Sequence, residues 1–436
     1  MRVFTTFVAA VAPWPRREKV WSSSSEFGEA SNLNVSGAFF REESRLSRDI
    51  AVLAAELACR DRKDSLIVDA FAGAGSRALR YARDVRSASR VIANEASLDT
   101  QLAANALNAG IKTSAMGASR FLRGLGVDRE AVVVDADPFG LKFDVGDAVG
   151  AVSDGGIVQI ATTGAAAAGA RGVDAKAALR ARMGCAAVNC GAAQNEFGLR
   201  ALFGRAAACA NAAGDALTPV CALYSPHGPV FRIIARVRRR KKASSPSSDD
   251  QKKERGRSFT QARKDFLAYH RYLLVCRACG HATAVDCDLI GAATCADCGQ
   301  RAVGEDVAGP VWTGPLYDAD SLRAMRDDAA DRGWLERRSL KTTLDLMLDE
   351  VNDPRLLAVP LYTSIDAVAR QAKVPTPPLE DLASALKVAG YAVSKTHIDR
   401  KGIRTDAPMS ACVTAAKDVA TRNLTTRTKA SGRLPS

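Results

Sequence analysis

Apolar residues recur along this chain in two alternating rhythms. Leu46, Ile50, Leu53, Ala54 and Leu57 fall at helical spacing and predict an amphipathic helix from Leu46. Ser65-Leu-Ile-Val-Asp69 then compresses apolar residues into a short strand ending in an acid, followed by a Gly/Ala turn over Phe71–Gly75 and a helix over Arg77–Arg86. Arg90–Ala93 predicts a second strand ending at Asn94-Glu95, and Leu98–Ala109 another helix. Ala131–Asp135 and Gly156–Ile160 read as a third and a fourth strand. Cys221–Tyr224 and Val230–Val237 read as a closing hairpin around Pro226 and Gly228. This alternation predicts an α/β fold, a parallel sheet with helices on both faces. In such sheets ligands lie at the carboxyl ends of the strands, so Asp69, Glu95 and Asp135–Phe139 are expected to converge.

Around this unit the pattern weakens. Residues 1–45 read as irregular, with a serine run at Ser22–Ser25. The α/β unit spans 46–237. Residues 238–258 are charged and poor in apolar residues, and read as a disordered basic linker. Residues 259–420 form a second, C-terminal α/β domain that is mostly helical from Asp318, with a helix over Leu379–Ala389 and a strand over Tyr391–Ser394. The tail, 421–436, reads as disordered. No internal repeat is visible.

Composition narrows the class. The chain has 436 residues, 47% apolar and 25% charged, with a mean hydropathy of −0.08. That is an ordinary globular balance over two to three domains. No apolar run reaches the length of a membrane-spanning helix. The 61 Lys+Arg exceed the 48 Asp+Glu, for a net charge of +13. A basic excess speaks to partners, nucleic acid first. It is concentrated in Arg236, Arg238–Lys242 and in Lys252, Lys253, Arg255 and Arg257, runs suited to phosphate contacts or to a nuclear localisation signal. Arg400, Lys401 and Arg404, near Thr405 in an ordered motif, are better candidates for specific RNA contact. The N-terminus resembles a weak signal or transit peptide, which leaves mitochondrion or plastid open beside the nucleus.

Eleven cysteines do not fit a secreted disulfide framework. Four form two Cys-x-x-Cys pairs, Cys276/Cys279 and Cys295/Cys298, separated by 15 residues. This is the spacing of a structural zinc site, closed by four thiolates. Gly280 and Gly299 follow the pairs as metal knuckles require. Cys287 and His281 lie between the pairs and are left out because four positions are already filled. Cys59, Cys185, Cys190, Cys209, Cys221 and Cys412 are expected to be buried apolar residues.

Two constellations carry candidate chemistry. Val68–Gly75 is a strand running into a small-residue turn and a helix, which lets backbone approach a ligand closely. Glu95, 26 residues past Asp69, sits where a ribose diol would be held. Together they suit a dinucleotide or S-adenosylmethionine. The second is Asp135-Ala-Asp-Pro-Phe-Gly140. Pro138 fixes the backbone and frees a carbonyl, Phe139 offers a stacking face, and Asp137 can accept hydrogen bonds from a base edge. That set reads a guanine Watson–Crick edge and orients its amine.

On these residues the chain resembles the tRNA (guanine-N2)-dimethyltransferase family, which modifies guanine 26 of tRNA. Phe39-Phe40 with Arg48-Asp49 resembles the family's aromatic pair and N-R-D. Gly75, Arg77, Arg80, Tyr81 and Ala82 resemble G-x-R-x-x-R-[YF]-A. Asn94-Glu95-Ala96-Ser97 resembles N-D-I-S, and Asp135–Gly140 resembles D-L-D-P-F-G. Asn195-Glu196 with Leu199-Arg200 resembles H-E-x-x-x-R. Gly309–Leu316 resembles G-P-x-W-x-G-P-L. Thr396-His397 through Gly402–Pro408 resembles T-H-x-x-x-x-G-[IL]-[KR]-T-[DS]-A-P.

The resemblance implies a Rossmann-like class I methyltransferase with a C-terminal α/β, zinc-containing domain that helps hold tRNA, with no membrane and no protein partner implied. Arg48, Arg77, Glu95 and Ala118 would line the S-adenosylmethionine pocket, with Asp69, Gly73 and Gly75 shaping it. Asp137, Pro138 and Phe139 would hold the target guanine. The departures are specific. Arg41-Glu42 replaces Asn-Pro, and Gly117-Ala118-Ser119 replaces D-A-N, which removes an adenine-facing carboxylate. Thr162-Thr163-Gly164-Ala165 replaces T-D-x-A, and Ala168-Gly169 replaces Cys-Gly. The losses at Gly117 and Gly164 motivate one alternative, a non-catalytic tRNA-binding or chaperone protein of the same descent; a second, because substrate choice lies in surfaces, is the same chemistry on another RNA or guanine.

Overall fold

The computed structural model describes residues 41–97, 109–138, 143–163, 173–226, 229–240 and 249–430. Seven strands form one sheet in the order β3-β2-β1-β4-β5-β7-β6. They are β1 (Leu66–Asp69), β2 (Arg90–Asn94), β3 (Lys112–Ser114), β4 (Ala131–Ala136), β5 (Val152–Thr163), β6 (Ala216–Ser225) and β7 (Val230–Arg238). β1 to β5 run parallel, and β7 is antiparallel to β5 and β6. The four expected strands and the closing hairpin are present. β3 was not anticipated: Lys-Thr-Ser is three residues at a sheet edge, with no apolar signal. The expected helix over Leu98–Ala109 falls almost wholly outside the described residues.

The central strands are apolar because helices cover both faces. Every residue of β1 and β4 is buried. The helix Arg45–Cys59 buries Ile50, Leu53, Ala54 and nine further residues, and the helix Gln194–Ala212 buries Phe197, Leu202 and Phe203. The charged segment 238–258 departs from expectation. From Asp249 it belongs to a helix, Asp249–Tyr269. Ala262 is fully buried, and Phe266 and Tyr269 pack against the main core, so tertiary anchoring outweighs the polar composition. Residues 421–430 likewise continue the helix Met409–Ala430, whose Cys412, Ala415, Ala416 and Val419 bury one face.

Two small antiparallel sheets follow. One orders Val307–Trp312, His270–Val275 and Ala282–Val285. The other orders Thr363–Ser364, Gly402–Thr405 and Val393–Lys395. The main apolar core continues from Ile50 into Trp312, Leu344 and Ile398, and a separate cluster gathers Ile365, Leu382, Ile403 and Cys412.

Candidate active site

The carboxyl ends of β1, β2 and β4 converge. Register sets Asp69 beside Ala93 and Asp135. The N–H of Ala70 donates to the Asp135 carbonyl at 2.8 Å, and that of Ala72 to the Asn94 carbonyl at 2.9 Å. The loop then turns at Gly73 and Gly75, with φ of +53° and +87°, a conformation that excludes most side chains. The helix Ser76–Asp84 starts at once, aiming its free N–H groups over the sheet edge. Glu95 Oε2 accepts from the Gly73 N–H at 3.0 Å, and a Cβ placed at Gly73 meets nothing within 4 Å. Loop, helix end and carboxylate thus border open space of the kind a ribose diol fills.

Asn94 is buried and staples this edge. Its Nδ2 donates to the Ala70 and Met116 carbonyls, and its Oδ1 accepts from the Met116 N–H. This fixes the segment leading to Ala118, the first residue of the helix Ala118–Asp128, whose N-cap Gly117 offers no capping side chain. Arg48 is buried, and both its Nη atoms donate to the Arg41 carbonyl at 3.1 Å.

Arg77 reaches inward instead of lying on the helix surface. Its Nη2 lies 2.6 Å from Asp137 Oδ2 and donates to Ser47 Oγ at 3.3 Å, while its Nη1 lies 3.7 Å from Asp135 Oδ2. A second guanidinium, Arg232 on β7, closes the cluster. Its Nη2 donates to Asp137 Oδ2 at 2.6 Å and its Nη1 to Asp135 Oδ1 at 2.9 Å. The Tyr81 hydroxyl donates to Asp135 Oδ2 at 2.5 Å. Sequence reading gave Arg232 no role, yet a signal was present: a cation inside the apolar run Val230–Val237, on a strand meant to be buried, demands an acid partner.

Three acids therefore face two guanidiniums. Asp69 is fully buried, with no side-chain donor on either oxygen. Burial, with the Asp135 charge second, pushes its carboxyl up to about 8, so it keeps its proton at neutral pH. Two carboxylates and two guanidiniums remain. Burial works to raise Asp137 as well, but Arg77 and Arg232 outweigh it and hold that carboxyl below its usual range. Asp137 is thus a fixed hydrogen-bond acceptor. Its Oδ2 is taken by both arginines, and its side chain retains 22% exposure. Pro138 is buried behind it. Phe139 and Gly164 lie outside the described residues, as do Phe39 and Phe40.

The cysteine pairs come together as expected. The four Sγ atoms lie within 4.8 Å of one another, with Cys276–Cys298 at 3.6 Å and Cys279–Cys295 at 3.5 Å. Tetrahedral zinc–thiolate bonds of about 2.3 Å place sulfurs roughly 3.8 Å apart, so the quartet fits that ion. Gly280 and Gly299 make the knuckle turns at φ +78° and +71°. Cys287 is exposed and, like His281, outside the quartet. Of the remaining cysteines, Cys209 is half-buried and the others buried.

Two basic residues expected to face RNA do not. Arg239 is buried on Asp215 and the carbonyls of Val149, Gly150 and Val152. Arg404 is buried, its Nη2 2.6 Å from Glu196 Oε1 and its Nε 2.7 Å from Glu350 Oε2. Glu196 also accepts from Arg200 Nη2 at 2.7 Å, and Arg200 Nη1 donates to the carbonyls of Trp312 and Gly314 at 3.1 and 2.7 Å. Arg400 and Lys401 remain on the surface.

A sheet of this order, with an antiparallel seventh strand and a glycine turn after β1, defines a Rossmann-like methyltransferase fold. A solved structure of Trm1 from Pyrococcus horikoshii in complex with S-adenosyl-L-methionine has this fold, with a TM-score of 0.67 at 21% identity over 87% of this chain and 94% of that one. A family model described as N2,N2-dimethylguanosine tRNA methyltransferase matches residues 27–417, and the chain belongs to that family. It is 29% identical over 384 residues to a tRNA (guanine(26)-N(2))-dimethyltransferase of Aeropyrum pernix, covering 85% of this chain and 86% of the relative. Its identity to the enzyme of the same name from Methanothermobacter thermautotrophicus is 27% over 384 residues, covering 85% and 90%.

Proposed function

We propose that this chain transfers one or two methyl groups from S-adenosylmethionine to the exocyclic N2 of guanine 26 in tRNA. The observation that carries the reading is Asp137, at the carboxyl end of β4, held ionised by two guanidiniums at 2.6 Å. A guanine edge presents N1–H and N2–H donors, and an ionised carboxylate accepts both without competing as a donor. The Pro138 carbonyl adds a second acceptor, and Phe139 would stack on the base. S-adenosylmethionine supplies an electrophilic methyl group. The chain's part is to hold the amine in line with that methyl, and alignment alone can supply much of the rate. Glu95 would take the ribose diol, with Gly73 and Gly75 giving close backbone approach, Asp69 shaping the turn, and Arg48, Arg77 and Ala118 completing the pocket. The base must leave its stack to reach Asp137. Cys276, Cys279, Cys295 and Cys298 would hold a structural zinc ion.

The test is methyl transfer from labelled S-adenosylmethionine to an unmodified tRNA transcript, with Asp137→Ala and a tRNA carrying adenine at position 26 as controls. Label lost in both controls supports the reading. Label on the altered tRNA discards the target position. No transfer with tRNA still retained favours the non-catalytic alternative, which the Gly117 departure motivates.

A further inference from the structure

Apart from the residues gathered at the sheet edge, the structure holds a large concave feature. A cleft of about 1160 Å³ lies between the helix Val173–Met183, the segment 186–193, the cysteine-pair module and the C-terminal segments 355–371 and 405–409. Asp69, Glu95 and Asp137 do not line it. Small-molecule pockets are mostly apolar and about 300–1,000 Å³, and this cleft is larger and polar. Five cations line it, Lys176, Arg180, Arg277, Arg355 and Arg370, against the carboxylates Glu305 and Asp406. Arg277 is held by Asp306 at 2.7 Å and Arg355 by Asp353 at 2.8 Å. Lys176 and Arg180 differ. Both are exposed, they stand one helical turn apart on one wall, and no acid among the described residues lies within ion-pair distance of either. The opposite floor, 186–193, is mostly Ala and Gly, with little side-chain bulk to obstruct a strand of polymer.

We infer that this cleft takes the sugar-phosphate backbone of the tRNA substrate away from the target guanosine, with Lys176 and Arg180 making phosphate contacts. The inference rests on the function proposed above and adds the place of docking. Among the described residues no carboxylate has to be released for these two cations to turn onto phosphates, whereas Arg277 and Arg355 must first give up their acids. The helix that carries Lys176 and Arg180 begins ten residues after β5, the neighbour of β4 in the sheet, ends at Thr163, so the wall lies within about 35 Å of that strand end along the chain.

The test measures the affinity of the full chain for unmodified tRNA over a salt series, for the unaltered protein, Lys176→Ala/Arg180→Ala and Arg323→Ala. Arg323 is an exposed arginine on the helix Ala319–Asp331, outside the cleft. The double variant is expected to raise Kd about tenfold at low salt. It should lower the slope of log affinity against log salt by about 1.5, as losing two phosphate contacts requires. The KM for tRNA should rise in step, Lys176→Arg/Arg180→Lys should restore the slope, and Arg323→Ala should leave it unchanged. S-adenosylmethionine affinity without tRNA reports the fold. An unchanged Kd and slope in the double variant, with tRNA bound by the unaltered chain, overturns the cleft assignment alone. Equal effects in Arg323→Ala reduce it to net charge and overturn it too. No tRNA binding by the unaltered chain overturns the functional reading and this one with it.

Discussion

Replacing Arg232 by Met tests the charge balance at the centre of the site. The substitution keeps length and apolar stem but removes one of two guanidiniums that face Asp135 and Asp137. What remains is Arg77, 2.6 Å from Asp137 and 3.7 Å from Asp135, with the Tyr81 hydroxyl on Asp135. Breaking a buried ion pair costs about 3–5 kcal/mol because a charge is left unpaired. Asp137 is partly exposed and Asp135 retains Tyr81, so the lower end, about 3 kcal/mol, is expected. The chain can offset part of this by protonating a carboxyl. With one of its two lowering partners gone, Asp137 should move upward and spend time as an acid. An acid offers a donor where guanine needs an acceptor, so kcat should fall about 100-fold, the scale of a misplaced reactant. The assay is kcat at saturating tRNA from pH 6 to 9, beside a thermal melt. The unaltered enzyme should show no Asp137 titration in that range, because its carboxyl already lies below the usual range. Arg232→Met should recover activity as pH rises and the carboxylate returns. Arg232→Lys should recover part of the loss, since a single ammonium cannot fork onto two carboxylates. A kcat and pH profile in Arg232→Met equal to those of the unaltered chain would refute the reasoning, and a lowered melt with unchanged kcat would confine Arg232 to stability.

The remaining predictions test the edges of the site. Asp69 has a folded-state carboxyl raised from 3.8 to about 8, so from pH 4 to 8 the folded chain carries a proton that the unfolded chain has lost. Stability should therefore fall as pH rises through that window, by up to roughly 1.4 kcal/mol per unit, and level off above it. Asp69→Asn should flatten this dependence, and melting curves that stay parallel for the two proteins from pH 5 to 9 would refute the shift. Gly117 has φ −57° and open space where a Cβ would stand, so Gly117→Asp fits without strain. It should tighten S-adenosylmethionine binding about fivefold by calorimetry, the effect of a partly exposed charge-assisted hydrogen bond, and an unchanged Kd would show that the carboxylate does not reach the cofactor. Elemental analysis should find zinc bound to the unaltered chain at the Cys276, Cys279, Cys295 and Cys298 quartet, and Cys295→Ser should abolish it and open residues 276–306 to protease. Full metal retention would reject the quartet.

Periodicity carried much of the sheet because the central strands are buried on both faces and written in Val, Ile, Leu and Ala. It missed β3, which is short, polar and at an edge, and misread 249–258, where charged residues are held helical by Ala262, Phe266 and Tyr269 further along the same helix. The cysteine quartet was legible because ligand spacing is local. The arginines were harder. Charge alone cannot distinguish a phosphate contact from a buried counter-ion, so Arg239 and Arg404 were assigned outward although both are buried on carboxylates. Arg232 escaped for the complementary reason: its partners lie 95 and 97 residues away.

The strongest sequence motifs prove to be joints between modules. Glu196 and Arg200 come from one stretch of the resemblance, Trp312 and Gly314 from another, and Arg404 from the third, and all meet in one buried network with Glu350. Two acids again balance two guanidiniums. Burial at that density also restricts what surrounds the network: Gly204 must be glycine because a Cβ would stand 2.9 Å from the Trp312 backbone nitrogen, and Gly314 because one would stand 2.5 Å from the Tyr269 ring. Such motifs report that the C-terminal module is docked on the methyltransferase sheet. They are silent on whether a methyl group moves. Gly117, one of the positions where the chain departs from the family's pattern, lies exposed at a helix cap, so its loss of a carboxylate costs the fold little. A chain of this family can therefore keep every joint and still change its chemistry. Transfer to guanine 26, measured beside Asp137→Ala, is the observation that separates an intact enzyme from an intact fold.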